Sequence, residues 1–229
     1  MITMFEALNY IGVVSFSASG SLKGARKGLD LLGCIVLGLI TSYAGGIIAE
    51  VLLGVTPPLV LRSPEDLALS IAVSLITFVF WRRLESKPMN ILLFVSDAVG
   101  LSDFAVFGAY LAVRANLNII STSIIAMIVG SGGGVIRDVL VGEVPMVLRR
   151  EIYASAAAAG GVVYYLASPL GSTLASAAGL TTVFALRVVS YVLGLELPKA
   201  GGHADSASST GTPSTALAEC TPVTTTLGM

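Results

Sequence analysis

Charge, histidine and cysteine are all scarce in this chain, and each scarcity excludes a class of chemistry. Charged residues make up 12% of the 229 residues while 55% are hydrophobic; a soluble domain carries about 25% charged residues. His203 is the only histidine and sits in a polar stretch near the C-terminus, which leaves no basis for a histidine-ligated metal or a Ser-His-Asp triad. Cys34 falls in an apolar run and Cys220 near the chain end, a placement that suits neither a disulfide framework nor a metal cage. The net charge of −1 provides no basic field, so no nucleic-acid partner is expected. The Gly132-Gly133-Gly134 run lacks the Gly-Lys-Ser/Thr ending of a phosphate-binding loop. Neither catalysis nor a bound metal or cofactor is expected.

What the chain has instead is long apolar runs, with its charges gathered between them. Seven spans stand out, at residues 5–22, 29–53, 67–81, 91–113, 119–141, 152–167 and 171–195. A helix needs about 20 residues to cross the hydrocarbon core, so the third and sixth are short. The runs lack period-two alternation, which argues against a closed barrel. The first has Glu6 at its very start and Lys23, Arg26 and Lys27 after it, the reverse of a cleaved secretory signal. The fold class predicted is all-α, with seven transmembrane helices. From 198 to 229 the composition turns to Ser, Thr, Gly and Ala, which buries too little apolar surface to offset ordering entropy; a disordered cytoplasmic tail is expected there.

Loop charge orients the protein. Lys23, Arg26, Lys27, Arg82, Arg83, Lys87, Arg149, Arg150 and Lys199 fall on the C-terminal side, and Arg62 and Arg114 on the other. By the positive-inside bias, a cell-membrane protein with its N-terminus outside and its C-terminus cytoplasmic is expected.

The chain also repeats itself. Shifting it by 88 residues aligns 9–62 with 97–150 without a gap, and Gly12, Phe16, Gly20, Arg26, Gly45, Gly46, Gly54, Pro57 and Arg62 recur among the identities. Apolar composition yields chance leucine and valine matches, but not glycine, proline and arginine in register. Three helices per unit leave each unit on the opposite side of the bilayer, so the second copy enters inverted. The division expected is 5–87 for one three-helix repeat, 88–168 for the other, and 169–197 for a seventh helix outside the symmetry.

The glycine runs carry the predicted site. Helix five reads Gly130-Ser131-Gly132-Gly133-Gly134 and helix two Thr41-Ser42-Tyr43-Ala44-Gly45-Gly46. Each interior glycine costs about 1 kcal/mol relative to alanine, so these runs are expected to bend or unwind. Open carbonyls at that depth are tolerated only inside protein or along a water-filled cavity. With the neighbouring hydroxyls they are the oxygens that replace a cation's hydration shell. Small-x-x-x-small spacing also serves close helix packing. Thr41, Ser42, Gly45, Gly46, Ser131, Gly132, Gly133 and Gly134 are therefore candidates for a path lining or hinge.

Glu50, Asp97, Asp103, Asp138, Arg137 and Arg187 lie inside the spans, where an ionisable side chain costs about 2.5–3.5 kcal/mol on insertion scales and faces a partner or a cavity. Four acids against two bases favour a cation. Glu50, Asp103, Arg137 and Asp138 are the candidate charged path or gate. Arg137 and Asp138 lie about 100° apart on a helix and are expected to seek partners on other helices, with Glu50, Asp97 or Asp103 facing Arg137.

The Gly-Gly-Gly-x-x-Arg-Asp run from Gly132 to Asp138, its partial copy from Gly45 to Glu50, and the Gly-Glu-x-Pro from Gly142 to Pro145 resemble the trimeric intracellular cation channel family, in its prokaryotic branch. The resemblance implies a homotrimer in membrane lipid with one pore per protomer, passing monovalent cations such as potassium or sodium. The first copy departs from the motif with Ala44 in place of its first glycine and Ala49-Glu50 in place of Arg-Asp. A secondary transporter of a small amino acid such as glycine is the alternative.

Overall fold

The computed structural model describes residues 4–84, 89–149 and 152–194. Lys87, Arg150, Lys199 and the tail from 198 onward lie outside the described residues. Within them the chain is all-helical: α1 (Met4–Arg26), α2 (Leu31–Leu52), α3 (Pro64–Leu84), α4 (Met89–Arg114), α5 (Ile119–Leu140), a single turn α6 (Met146–Arg149), α7 (Ala154–Ala167) and α8 (Ser172–Leu193). Five of these, α2, α3, α4, α5 and α8, hold stretches long and apolar enough to cross a membrane. At 1.5 Å per residue the 22 residues of α2 extend about 33 Å, enough for a hydrocarbon core of about 30 Å. The third span is longer than predicted, because α3 starts at Pro64 and runs 21 residues. The sixth is shorter, with 14 residues in α7.

Capping explains where α2 and α5 begin and end. Asp30 precedes α2 and its side chain accepts from Gly33 N at 2.7 Å; Asn118 precedes α5 and accepts from Ser121 N at 2.9 Å. Each satisfies an N–H left unpaired at a helix start. The helices end before Gly54 and Gly142, at φ 72° and 69°, a left-handed backbone that glycine adopts without strain.

Helices α1, α2, α5 and α4 form a ring in which each packs on the next, with α4 closing back on α1. Helix α3 packs on α1 and α2, α7 on α4 and α5, and α8 on α4 and α7. Small residues set these distances. Gly160 faces Val183 and the Gly179 carbonyl of α8, while Gly161 faces Ala126 and the Thr122 carbonyl of α5, so α7 is wedged between α5 and α8. The outward faces stay apolar, with Leu32 68% and Val192 72% exposed, as suits helices whose solvent is lipid.

Close contacts between the halves are reciprocal. A Cβ on Gly45 would collide with the Val129 carbonyl, and one on Gly133 with the Thr41 carbonyl. A Cβ on Gly12 would meet Asp103 and the Phe104 ring, and one on Gly100 the Phe16 ring. Each pair of contacts exchanges residues 88 apart, the pattern in which i meets j and j meets i across a two-fold axis.

Candidate functional site

Two polar cavities of opposite charge lie at opposite ends of α1. The first, about 440 Å³, is lined by Asn9 and Tyr10 of α1, Ser42, Gly46 and Glu50 of α2, Glu65 and Asp66 of α3, and Phe104 and Phe107 of α4. Its charged lining is all acidic. The second, about 720 Å³, is lined by Ser19, Lys23, Arg26 and Lys27 of α1, Asp97 of α4, Arg137 of α5 and Glu143 beyond it. Four of those six charged residues are basic. From Asn9 to Lys23 the helix rises about 21 Å.

A buried ion network forms the inner wall of the basic cavity. The Arg137 guanidinium, 2% exposed, donates from Nη1 to Asp97 Oδ1 at 2.9 Å and to Ser19 Oγ at 2.6 Å, and from Nε to Asp138 Oδ1 at 2.9 Å. Lys23 Nζ lies 2.5 Å from the same Asp138 oxygen. Asp138 Oδ2 accepts from Met146 N at 3.0 Å, tying the start of α6 to the end of α5. Arg187 of α8 reaches Asp97 Oδ2 at 3.4 Å and lies over the Tyr153 ring, 4.6 Å from its centroid. Buried charges persist when opposite charges and hydrogen bonds compensate them, and here Asp97 and Asp138 bridge three cations. At the mouth, Lys27 and Lys23 bind Glu143 at 2.6 and 2.9 Å, and these hydrogen bonds, Lys27's the larger, lower its carboxyl to about 2.

Three expectations need correction or completion. Arg137 and Asp138 do pair with each other, because the flexible arginine stem folds its Nε back onto the adjacent carboxylate. Of the partners foreseen for Arg137 on other helices, Asp97 is the one that meets it; Glu50 instead accepts from Leu59 N at 3.0 Å. The glycine runs do not unwind: α2 and α5 are continuous helices from end to end. Gly45, Gly132 and Gly133 sit where α2 crosses α5, and the ideal Cβ position on Gly132 lies 3.0 Å from Gly45 Cα. Absent side chains let two backbones approach, and the helical hydrogen bonds survive because no carbonyl has to be released.

The other candidates divide between cavity and packing. Ser42, Gly46 and Glu50 line the acidic cavity and Arg137 the basic one. Thr41 and Ser131 donate back to the carbonyls of Leu37 and Met127 at 2.6 Å each. Gly134 lies beside the Tyr153 hydroxyl. Asp103 is buried against Gly12. Ser42 also joins a hydroxyl cluster, 2.7 Å from Ser17 Oγ, which is itself 2.7 Å from Ser70 Oγ. Sequence reading missed Ser17, Ser19, Tyr153 and the pairing of Lys23 with Asp138. The i, i+4 spacing of Ser19 and Lys23 was the available signal, for it puts both on one face of α1.

Known proteins share this architecture. A family model described as Glycine transporter matches residues 6–82 and 94–169. A UPF0126 membrane protein of Deinococcus radiodurans is 41% identical over 202 residues, covering 86% of this chain and 93% of its own. YvgT of Bacillus subtilis, another UPF0126 membrane protein, is 36% identical over 207 residues, covering 88% of this chain and 99% of its own. A crystal structure of a prokaryotic TRIC channel in 0.5 M KCl superposes with a TM-score of 0.82 at 49% identity, covering 86% of this chain and all of that one. The trimeric intracellular cation channel orthologue from Rhodobacter sphaeroides gives 0.79 at 33% identity, covering 84% and 100%. With matches of this length and identity in both its halves, the chain belongs to the family of UPF0126 membrane proteins and prokaryotic TRIC channels.

Proposed function

We propose that this protein is a potassium-permeable channel for monovalent cations, working as a homotrimer in the cell membrane with one path inside each protomer. The path runs through the centre of the α1–α2–α5–α4 ring. Ser42, Gly46 and Glu50 line its outer approach, and Arg137 with Asp138 forms its inner charged gate. Thr41, Gly45, Ser131, Gly132, Gly133 and Gly134 make the tight wall between them. The observation that carries this reading is the pair of polar cavities at opposite ends of α1, which enter a lipid-facing body from both sides. The acidic outer cavity concentrates cations, and movement of Arg137 away from Ser19 opens the way inward. The likeness to solved TRIC cation channels supports the same conclusion, and the orthologue called trimeric supports three copies.

The reading includes two inverted three-helix repeats and a seventh helix, with the N-terminus outside. The reciprocal glycine contacts and the recurrence of element ends after 88 residues support it. A fixed polar path between inverted halves is the common plan of proteins that move small solutes across membranes. The second reading, uptake of a small amino acid such as glycine, draws on the tight α2–α5 crossing, since alternating access requires a closed centre between two open cavities. A planar-bilayer recording of the reconstituted protein under a potassium/sodium gradient separates them. Unitary steps reversing toward the potassium potential are expected. Saturable glycine uptake without unitary current overturns the channel.

A further inference from the structure

Four carboxylates are buried in the ring helices, and three have partners. Glu50 accepts a backbone N–H, Asp97 binds Arg137 and Arg187, and Asp138 binds Arg137, Lys23 and a backbone N–H. Asp103 is 3% exposed and has neither ion pair nor hydrogen bond among the described residues. Its place in the fold is specific. It stands midway along α4, with 14 residues before it and 11 after, so it lies near mid-membrane.

The face of α1 that joins the two cavities shows what surrounds it. Asn9 lines the acidic cavity and Ser19 the basic one, about 15 Å apart along the helix. Between them, Gly12 seats the Asp103 carboxyl and the Phe104 ring, and Phe16 stacks on Phe104 with centroids 5.2 Å apart and planes at 21°. Phe104 is itself part of the acidic cavity's wall. Along α1 this aromatic pair, with the unpartnered carboxyl beside it, lies between the two cavities. An aromatic constriction gates by excluding water, and an ion crossing it needs an opposite charge at the point where its hydration is thinnest.

Resting on the channel reading, we infer that Asp103 is the cation-binding step at the narrowest point of the path, where a partly dehydrated monovalent cation supplies the counter-charge that the chain itself withholds. Glu50, Asp97 and Asp138 are occupied by the protein; Asp103 is left for the ion. The 88-residue shift puts Ser15 at the equivalent place in the first half, so the second half alone carries the charge. Asp103→Ser installs the residue that the first half carries at this register position, and is a probe beside Asp103→Asn.

The test has two readouts on the full-length protein. In planar bilayers, both variants are expected to raise the potassium concentration for half-saturating conductance by about tenfold and to weaken discrimination against chloride. In detergent, replacing N-methylglucamine by potassium at constant ionic strength is expected to raise the wild-type thermal midpoint by mass action and to leave both variants unmoved. Normal half-saturation in the variants overturns the inference while the channel stands. A potassium-dependent midpoint lost in the variants, without unitary currents in the wild type, keeps the site and sinks the channel. A wild type with no potassium-specific midpoint shift overturns the site directly, and conduction carried by protons alone does so as well.

Discussion

Glu143 stands at the turn after α5, where it meets the end of α1 and holds Lys27 and Lys23 together. Its carboxyl, ordinarily near 4.5, is lowered to about 2 by those hydrogen bonds. A group held below its unfolded value binds fewer protons in the folded state, so it stabilises fully above about 4.5 and its contribution is lost as pH falls through about 2. The carboxyl is one-third exposed, so solvent screening keeps the effect small. The difference in thermal midpoint between wild type and Glu143→Gln is expected to be constant above about pH 5 and to shrink steadily below it. A difference unchanged down to about pH 3 would mean the ammonium groups do not hold this carboxyl. Asp97 is the opposite case, a residue whose type alone disclosed little. It stood among several acids inside the spans, yet it joins α4, α5 and α8 through two buried guanidinium groups.

At the scale of the helix, glycine has two effects that single-chain propensity cannot separate. It weakens a helix by about 1 kcal/mol where it stands alone in water, and it lets a second backbone approach where one is at hand. Gly133 and Gly46 distinguish the two. A Cβ on Gly133 would collide with the Thr41 carbonyl, whereas nothing lies within 4 Å of one on Gly46. Gly133→Ala is expected to push α5 off α2 and lower the thermal midpoint, and Gly46→Ala to hold or raise it through its helix propensity. Equal effects from the two would show that the crossing tolerates a methyl group. Helix ends, by contrast, are set by local chemistry. Asp30, Asn118, Gly54 and Gly142 punctuate α2 and α5 within a residue or two of where they start and stop, because caps act on the backbone of their own turn.

For the molecule as a whole, orientation is the quantity that gives the cavities their meaning. In the proposed orientation, with the N-terminus outside, the acidic cavity would face out and Lys23, Arg26 and Lys27 would face the cytoplasm, in line with the positive-inside bias. A membrane-impermeant maleimide applied to intact cells is expected to label Glu65→Cys, and to label Lys27→Cys only after permeabilisation. The reversed pattern would invert the path and its proposed entry for cations.

Hydropathy and the 88-residue recurrence, both read from the sequence alone, were enough to make this an all-helical membrane protein and to bring its charged and glycine-rich segments forward as candidates. These signals are local: a span's length, a turn's chemistry and a recurring residue depend on neighbours in the chain. Only the tertiary structure decided that Arg137 meets Asp97, 40 residues away, and Ser19, 118 residues away, that the glycine runs stay helical at a crossing, and that Asp103 is left without a partner. Each of these is set by which helix faces lie against each other, and side-chain reach across that gap then selects the pairs.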